Sequence, residues 1–392
     1  MDIEKIQAAI KLEKVDGWLF CDFHNRDHLG LKILGLNSSG MATRRWFYFI
    51  PVNGEPIKLV HRVEPTKLDS LPGKKISYSS WSELHRNLQM LLGKPSRIAM
   101  QYSPMNAIPY VSIVDGGTID LIRSFGHEVV SSANLVQQFE ALLDEDAVAT
   151  HYQAGKLVDM ILNETFEEIR KSIKDGKYRT EYDIQQFIGR RFKESGLTTD
   201  DLPIVGTNDH PANPHFAPTI ENAREIRPGD RLLIDLWAKL DRPGAIYYDI
   251  TWCAYIGANP PEDYKRAFEI VRDARRAGFD FLKRNLASGK KVAGWEVDEV
   301  VRLYVSKAGY GEYFTHRTGH SIGEEVHGNG ANIDNFETQD QRLLVPGCLF
   351  SLEPGIYIEG EMGVRSELNV FINYDYTPIV TGREQSELVL IQ

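Results

Sequence analysis

The chain has 392 residues, 42% hydrophobic and 26% charged, with a net charge of -10. That balance is ordinary for a globular enzyme and argues against non-specific nucleic-acid binding, which needs clustered Lys and Arg. At roughly 100–200 residues per domain two domains are expected, and a chain this long buries a large core without a structural metal, so any metal site is expected to be functional.

The N-terminal stretch lacks the basic start and apolar run of a signal peptide. No apolar run approaches the roughly 20 residues that span a bilayer. Cys21, Cys253 and Cys348 are far apart and have no CxxC spacing. They read as free thiols of a reducing compartment, so a cytoplasmic protein without membrane or nucleic-acid partners is expected.

Ile3 to Leu12 has helical spacing of apolar residues, and Trp18 to Phe20 reads as a short buried strand. Trp46 to Val52 and Ile57 to Val60 read as strands joined at Asn53-Gly54, a strong hairpin signal. Trp81 to Leu92 predicts a helix, Arg97 to Gln101 a strand, and Ser112 to Phe125 a helix. This alternation predicts a smaller α/β domain over residues 1–135. It holds no phosphate-cradling glycine pattern and nothing that looks catalytic.

The pattern then turns long and helical from about Asn134 to Lys174, and the domain boundary is placed between Ser131 and Leu142. Thr180 to Ser195 predicts a helix with an N-cap signal in Thr180 and Asp183. Helices follow over Pro261 to Leu286 and Glu296 to Lys307, and the last part of the chain is rich in strands and turns. Residues 136–392 therefore read as an α+β domain, helices packed on an antiparallel sheet.

Four acids stand out because each lies in an apolar, strand-like run. Asp235 follows Leu232-Leu233-Ile234, and Asp249 follows Tyr247-Tyr248. Between them lies the turn chemistry of Asp241-Arg242-Pro243-Gly244. Both acids are equidistant from Arg242, which predicts that they face each other directly, at ~4.5–5.5 Å between Cβ atoms. Glu353 and Glu367 repeat the arrangement about Gly360. A single acid in a strand ordinarily faces solvent or pairs with Arg or Lys. Carboxylates paired twice across turns would repel, and cations between them remove the conflict. The spacing suits two metals roughly 3.5–4 Å apart.

His316, His320 and His327 fall in one glycine-broken segment, where Gly319 and Gly323 disfavour a continuous helix and permit close backbone approach. Imidazole is a good ligand for Zn, Mn, Fe or Co. His215 lies on a loop between Pro214 and Pro218. His61, His85 and His151 are read as surface or capping residues.

The order Asp235, Asp249, Gly319-His320-x-x-Gly323, Glu353-Pro354-Gly355, Arg365-x-Glu367 resembles the pita-bread metallopeptidases, in particular the aminopeptidase P, prolidase (Xaa-Pro dipeptidase) and creatinase branch. The first third resembles the N-terminal α/β domain of that branch. The resemblance implies a C-terminal pita-bread catalytic domain and two divalent metal ions, Mn favoured, Co or Zn as alternatives, with a bridging hydroxide as nucleophile. It implies that Asp235 ligates one metal, that Asp249 and Glu367 bridge both, and that His320 and Glu353 ligate the other. Glu353 would also shuttle a proton, His215, His316 and His327 would bind substrate or stabilise the tetrahedral intermediate, and Arg365 would support the ligands. It further implies a homodimer and a small peptide substrate with proline after the scissile bond.

This sequence departs from the family in three places. The segment between Asp235 and Asp249 is longer, with Trp237 where glycine is common; Trp252 replaces an arginine; and Gly328-Asn329-Gly330 follows His327. All three are expected near the site, where they bear on substrate choice. The leading reading is a Xaa-Pro dipeptidase or aminopeptidase. The alternatives are a creatinase-like, metal-dependent hydrolase of a non-peptide C–N bond, and a non-catalytic pita-bread binding protein.

Overall fold

The computed structural model describes residues 2–36 and 42–392. The chain divides into two compact units, Met1–Glu140 and Ala141–Gln392.

The first unit holds α1 (Ile3–Leu12), β1 (Gly17–Asp22), α2 (His28–Ile33), β2 (Trp46–Pro51), β3 (Ile57–His61), β4 (Lys74–Tyr78), α3 (Trp81–Leu92), β5 (Arg97–Met100), α4 (Gly116–Ser124), β6 (Glu128–Ser131) and the single turn α5 (Ala133–Val136). Its strands form one sheet in the order β4-β3-β2-β1-β5-β6. Trp18 and Phe20 face a layer that includes α1 and α2, while Leu19 faces α3 and α4. Burial on both faces is why β1 reads as a continuous apolar run rather than an alternating one. The helix predicted from Ser112 begins only at Gly116, because the Asp115 side chain caps it by accepting the Thr118 N–H.

The second unit holds α6 (Glu145–Lys174), α7 (Glu181–Glu194), β7 (Leu197–Thr198), β8 (Ile204–Thr207), β9 (Arg231–Leu240), β10 (Tyr248–Ile256), α8 (Glu262–Ala287), α9 (Gly294–Lys307), β11 (Leu349–Leu352), β12 (Gly355–Ile358), β13 (Met362–Arg365), β14 (Leu368–Ile372), β15 (Pro378–Val380) and β16 (Val389–Ile391). The helix expected from Asn134 is broken before Asp144, which caps α6. Thr180 and Asp183 form a reciprocal capping box on α7. The larger sheet is antiparallel except where β16 joins β10 in parallel. No helix among the described residues is long and apolar enough to cross a membrane.

Strand parity positions the site. Ile234, Leu236, Ala238, Tyr248, Ile250, Trp252 and Ala254 pack against α6 and α7. The intervening residues of β9 and β10 point to the other face, where Leu233 and Cys253 pack against α8 and α9. Asp235 and Asp249 share that second face. Trp252 belongs to the α6 side, with its ring 6.4 Å from that of Phe166 and Arg383 stacked over it. It therefore fills core behind the sheet, and its expected place beside the site is corrected.

Candidate metal centre

The long β9–β10 hairpin carries the first two acids. Thr251 pairs with Asp235 and Trp237 with Asp249. The acids are thus diagonal neighbours on one face, not directly opposed as the symmetry about Arg242 predicted. The connection is centred one residue later, at Pro243, and a one-residue shift of centre moves each partner by two, which preserves the face.

Glu353 and Glu367 follow the register read from the sequence. β12 pairs β13 with Gly355 opposite Arg365, and β11 pairs β14 with Leu352 opposite Leu368. The two glutamates lie at the interruption between these hairpins. Gly360 turns the chain with φ 74°, a conformation that favours glycine.

The histidine segment runs beside β11. The Ser351 N–H donates to the His320 carbonyl at 2.9 Å, and the Glu353 N–H to that of Thr318 at 2.7 Å. Gly319 makes this approach possible: a Cβ there would lie 1.9 Å from the Ser351 carbonyl oxygen. His320 is thereby held with its Nε2 3.2 Å from Glu353 Oε1 and 3.6 Å from Asp249 Oδ2.

Asp249, His320 and Glu367 each offer a ligand atom within 4.8 Å of the others, and all three are buried. Asp235 Oδ1, Asp249 Oδ1 and Glu367 Oε1 are buried without a hydrogen-bond partner among the described residues. Burial, and then the neighbouring carboxylates, push Asp249 up to about 7 against its hydrogen bond to His320. Burial and the other acids also raise Glu367. Burial raises Asp235 against the Arg365 charge. Glu353 is held low despite burial by His320, His316 and Arg365. Acceptor-only oxygens that meet one another without donors are what divalent cations relieve, so these residues fit a metal centre.

Four polar residues that sequence reading passed over complete the site. Thr251 accepts from Arg365 Nε at 3.1 Å and donates to Glu367 Oε2 at 2.9 Å. Ser351 donates to Glu353 Oε1 at 2.9 Å and accepts the His320 N–H at 2.9 Å. Asn369 accepts the Asp249 N–H at 3.1 Å and donates to the Asp249 carbonyl. The Tyr357 hydroxyl lies 2.7 Å from His316 Nε2 and accepts from Arg365 Nη1 at 3.0 Å. Three of them stand two residues from a candidate ligand, so the period of a strand was the available signal. Arg365 also pairs with Asp235.

The remaining histidines differ. His316 is occupied on both nitrogens, by the Arg317 carbonyl and the Tyr357 hydroxyl, and burial pushes it down to about 4. His327 is exposed, its ring edge-on to His320 at 4.3 Å, and the His320 charge pushes it down to about 3. His215 is exposed on its loop. His151, read as a surface or capping residue, is fully buried between the Tyr247 carbonyl and the Thr381 hydroxyl, each at 2.6 Å.

Residues 149–373, wholly inside the second unit, match the Peptidase_M24 family, described as metallopeptidase family M24. The chain belongs to this family. It is 28% identical over 257 residues to a probable dipeptidase PepE of Mycobacterium bovis, covering 66% of this chain and 63% of the relative. It is 31% identical over 214 residues to a Xaa-Pro dipeptidase of Lactobacillus helveticus, covering 55% and 52%. The chain thus spans less than two thirds of these relatives in the matched regions. The crystal structure of dipeptidase PepE from Mycobacterium ulcerans superposes with a TM-score of 0.72 at 23% identity, covering 99% of this chain and 96% of that one. The M24 chain therefore has the pita-bread fold.

Proposed function

We propose that this M24 family member is a metallopeptidase hydrolysing small peptides, with a Xaa-Pro bond as the preferred target. The observation that carries the reading is the cluster of Asp249, His320 and Glu367 ligand atoms within 4.8 Å of one another, with Asp249 Oδ1 and Glu367 Oε1 buried and without a hydrogen-bond partner among the described residues. Asp235, Asp249, His320, Glu353 and Glu367 would hold two divalent cations, Mn first, with Co or Zn able to replace it. When bound, such a pair lowers the pKa of water and polarises the scissile carbonyl.

The protein's own groups supply the proton handling. Glu353, kept ionised by the surrounding cationic groups and fixed by Ser351, takes a proton from the attacking water and passes it to the leaving nitrogen. Neutral His327, at the exposed edge of the site, donates from its ring N–H to the carbonyl oxygen as charge develops there, and His215 assists from its loop. His316, Tyr357 and Arg365 form a bonded chain that fixes Asp235. A cytoplasmic compartment, consistent with three free cysteines, and a homodimer belong to the same reading.

The test is hydrolysis of Ala-Pro and Ala-Pro-Ala by protein stripped of metal and reloaded with Mn, Co or Zn, alongside Asp249→Ala. Metal-dependent proline release from Ala-Pro, lost in the variant, establishes a dipeptidase. Cleavage of the tripeptide alone makes it an aminopeptidase. Failure on both peptides by fully loaded protein overturns the Xaa-Pro reading.

A further inference from the structure

In the first unit, β1 runs parallel to β5, and β5 to β6, while β2 runs antiparallel to both β1 and β3. Strand order climbs from β1 through β2 and β3 to β4, then resumes with β5 on the other side of β1. The chain leaving β1 and the chain leaving β5 consequently diverge beyond the carboxyl ends of two parallel neighbours. In open α/β sheets that point is where a crevice forms and small molecules bind.

A cavity of about 1020 Å³ lies there. Its wall includes Cys21 and Asp22 from the end of β1, and Ile113 to Asp115 from the segment after β5. The Ile113 and Val114 N–H groups both donate to the Gln101 carbonyl, at 3.0 and 2.9 Å, which fixes that wall.

Its charged groups fall into two sets. Most of the acids are engaged internally. Asp22 accepts the N–H groups of Asn25 and Asp27, each at 3.0 Å. Asp27 accepts the Gly30 N–H at 2.8 Å and the Gln101 amide at 3.0 Å. Asp115 accepts the N–H and the hydroxyl of Thr118 at 2.9 and 2.7 Å. Asp120 remains, exposed on α4. The arginines are not engaged in this way. The Arg45 carbonyl accepts from the Tyr78 hydroxyl at 2.7 Å, but its guanidinium makes no hydrogen bond or ion pair among the described residues, and its charge is felt at Cys21 and Asp115 inside the cavity. The Arg44 guanidinium bonds only its neighbour Thr43 among the described residues, and Arg26 lies over the Phe23 ring. Two aromatic residues that also line the cavity are exposed, Trp81 at 72% and Phe23 at 37%.

We propose that this cavity, lined only by residues of the first unit, is a second ligand site for a small organic anion carrying a flat ring. Arg44 and Arg45 take the acidic group, a carboxylate or a phosphate ester, and the ring lies against Trp81. Guanidiniums without a carboxylate partner among the described residues, in a cavity that also exposes aromatic surface, match that chemistry on both counts.

The experiment is titration of the full-length chain with phenyl phosphate and with benzoate, followed by tryptophan fluorescence and calorimetry. Saturable binding with Kd under about 1 mM is expected for at least one, and which one separates phosphate ester from carboxylate. Arg45→Gln weakens it roughly tenfold or more, Trp81→Leu removes the fluorescence change, and Asp249→Ala leaves binding intact. Benzyl alcohol, with the ring but no charge, binds at least tenfold more weakly. Absence of saturable binding for both anions, equal binding of benzyl alcohol, or loss of binding in Asp249→Ala but not in Arg45→Gln overturns the proposal. Thermal melts verify that the variants fold, and Arg44→Gln carries the same test should Arg45→Gln melt early.

Discussion

The Thr251 hydroxyl is fixed between Arg365 and Glu367, accepting from the guanidinium at 3.1 Å and donating to the carboxylate at 2.9 Å. Both bonds are buried, and Thr251 is fully inaccessible. Thr251→Val keeps the shape and removes both bonds. Groups that orient a ligand typically contribute 10–100-fold to metal affinity. Metal titration of Thr251→Val is expected to show a loss of about that size with the fold retained; unchanged affinity would show that the hydroxyl does not orient Glu367.

Gly319 is required by a contact rather than by its own φ. A methyl group there meets the Ser351 carbonyl at 1.9 Å, and that backbone oxygen is held in place. Gly319→Ala is expected to destabilise by about 1–3 kcal/mol or more and to displace His320. Thermal denaturation and metal content measured on one preparation should fall together.

Trp237 stands opposite Asp249 in register and shares the face of the acids. Its Nε1 is buried without a partner among the described residues, and its side chain packs against two apolar clusters, one with Leu233 and Cys253 and one with Tyr247 and Ile322. Trp237→Ala opens space beside the proposed metals. Relative to Ala-Pro, cleavage of Leu-Pro is expected to rise about tenfold, within the roughly 1–3 kcal/mol that a pocket contact confers. An unchanged ratio in folded, metal-loaded protein would place the indole outside the substrate pocket.

Burial of His151 predicts a pH dependence of stability. Its pKa is pushed down to about 4, against an ordinary value near 6.5. The unfolded chain therefore binds a proton that the folded protein excludes, and the folded state loses stability as pH falls from about 6.5 to about 4. Integrated over that window the loss amounts to roughly 3 kcal/mol, complete once pH falls below about 4. His151→Gln is expected to be less stable at pH 7 but to show a shallower decline through that window in denaturant titrations. A slope equal to the wild type would remove His151 as the source.

The sequence by itself determined which residues share a face. Alternation along Leu233-Ile234-Asp235 and Asp249-Ile250-Thr251 places the acids on one side of β9 and β10 whatever the pairing, because strand period is fixed by backbone geometry. It also determined the second register, since a tight turn at Gly360 leaves one way to pair Leu352 with Leu368. The first register was decided only in three dimensions, because the seven residues from Asp241 to Tyr247 do not form a two-residue turn that fixes its own centre. Local sequence likewise could not place Trp252 behind the sheet, bury His151, or tie Thr251 to Glu367. Those outcomes depend on which helix covers which face and on hydrogen bonds between residues more than a hundred positions apart, which exist only once the strands and helices are packed.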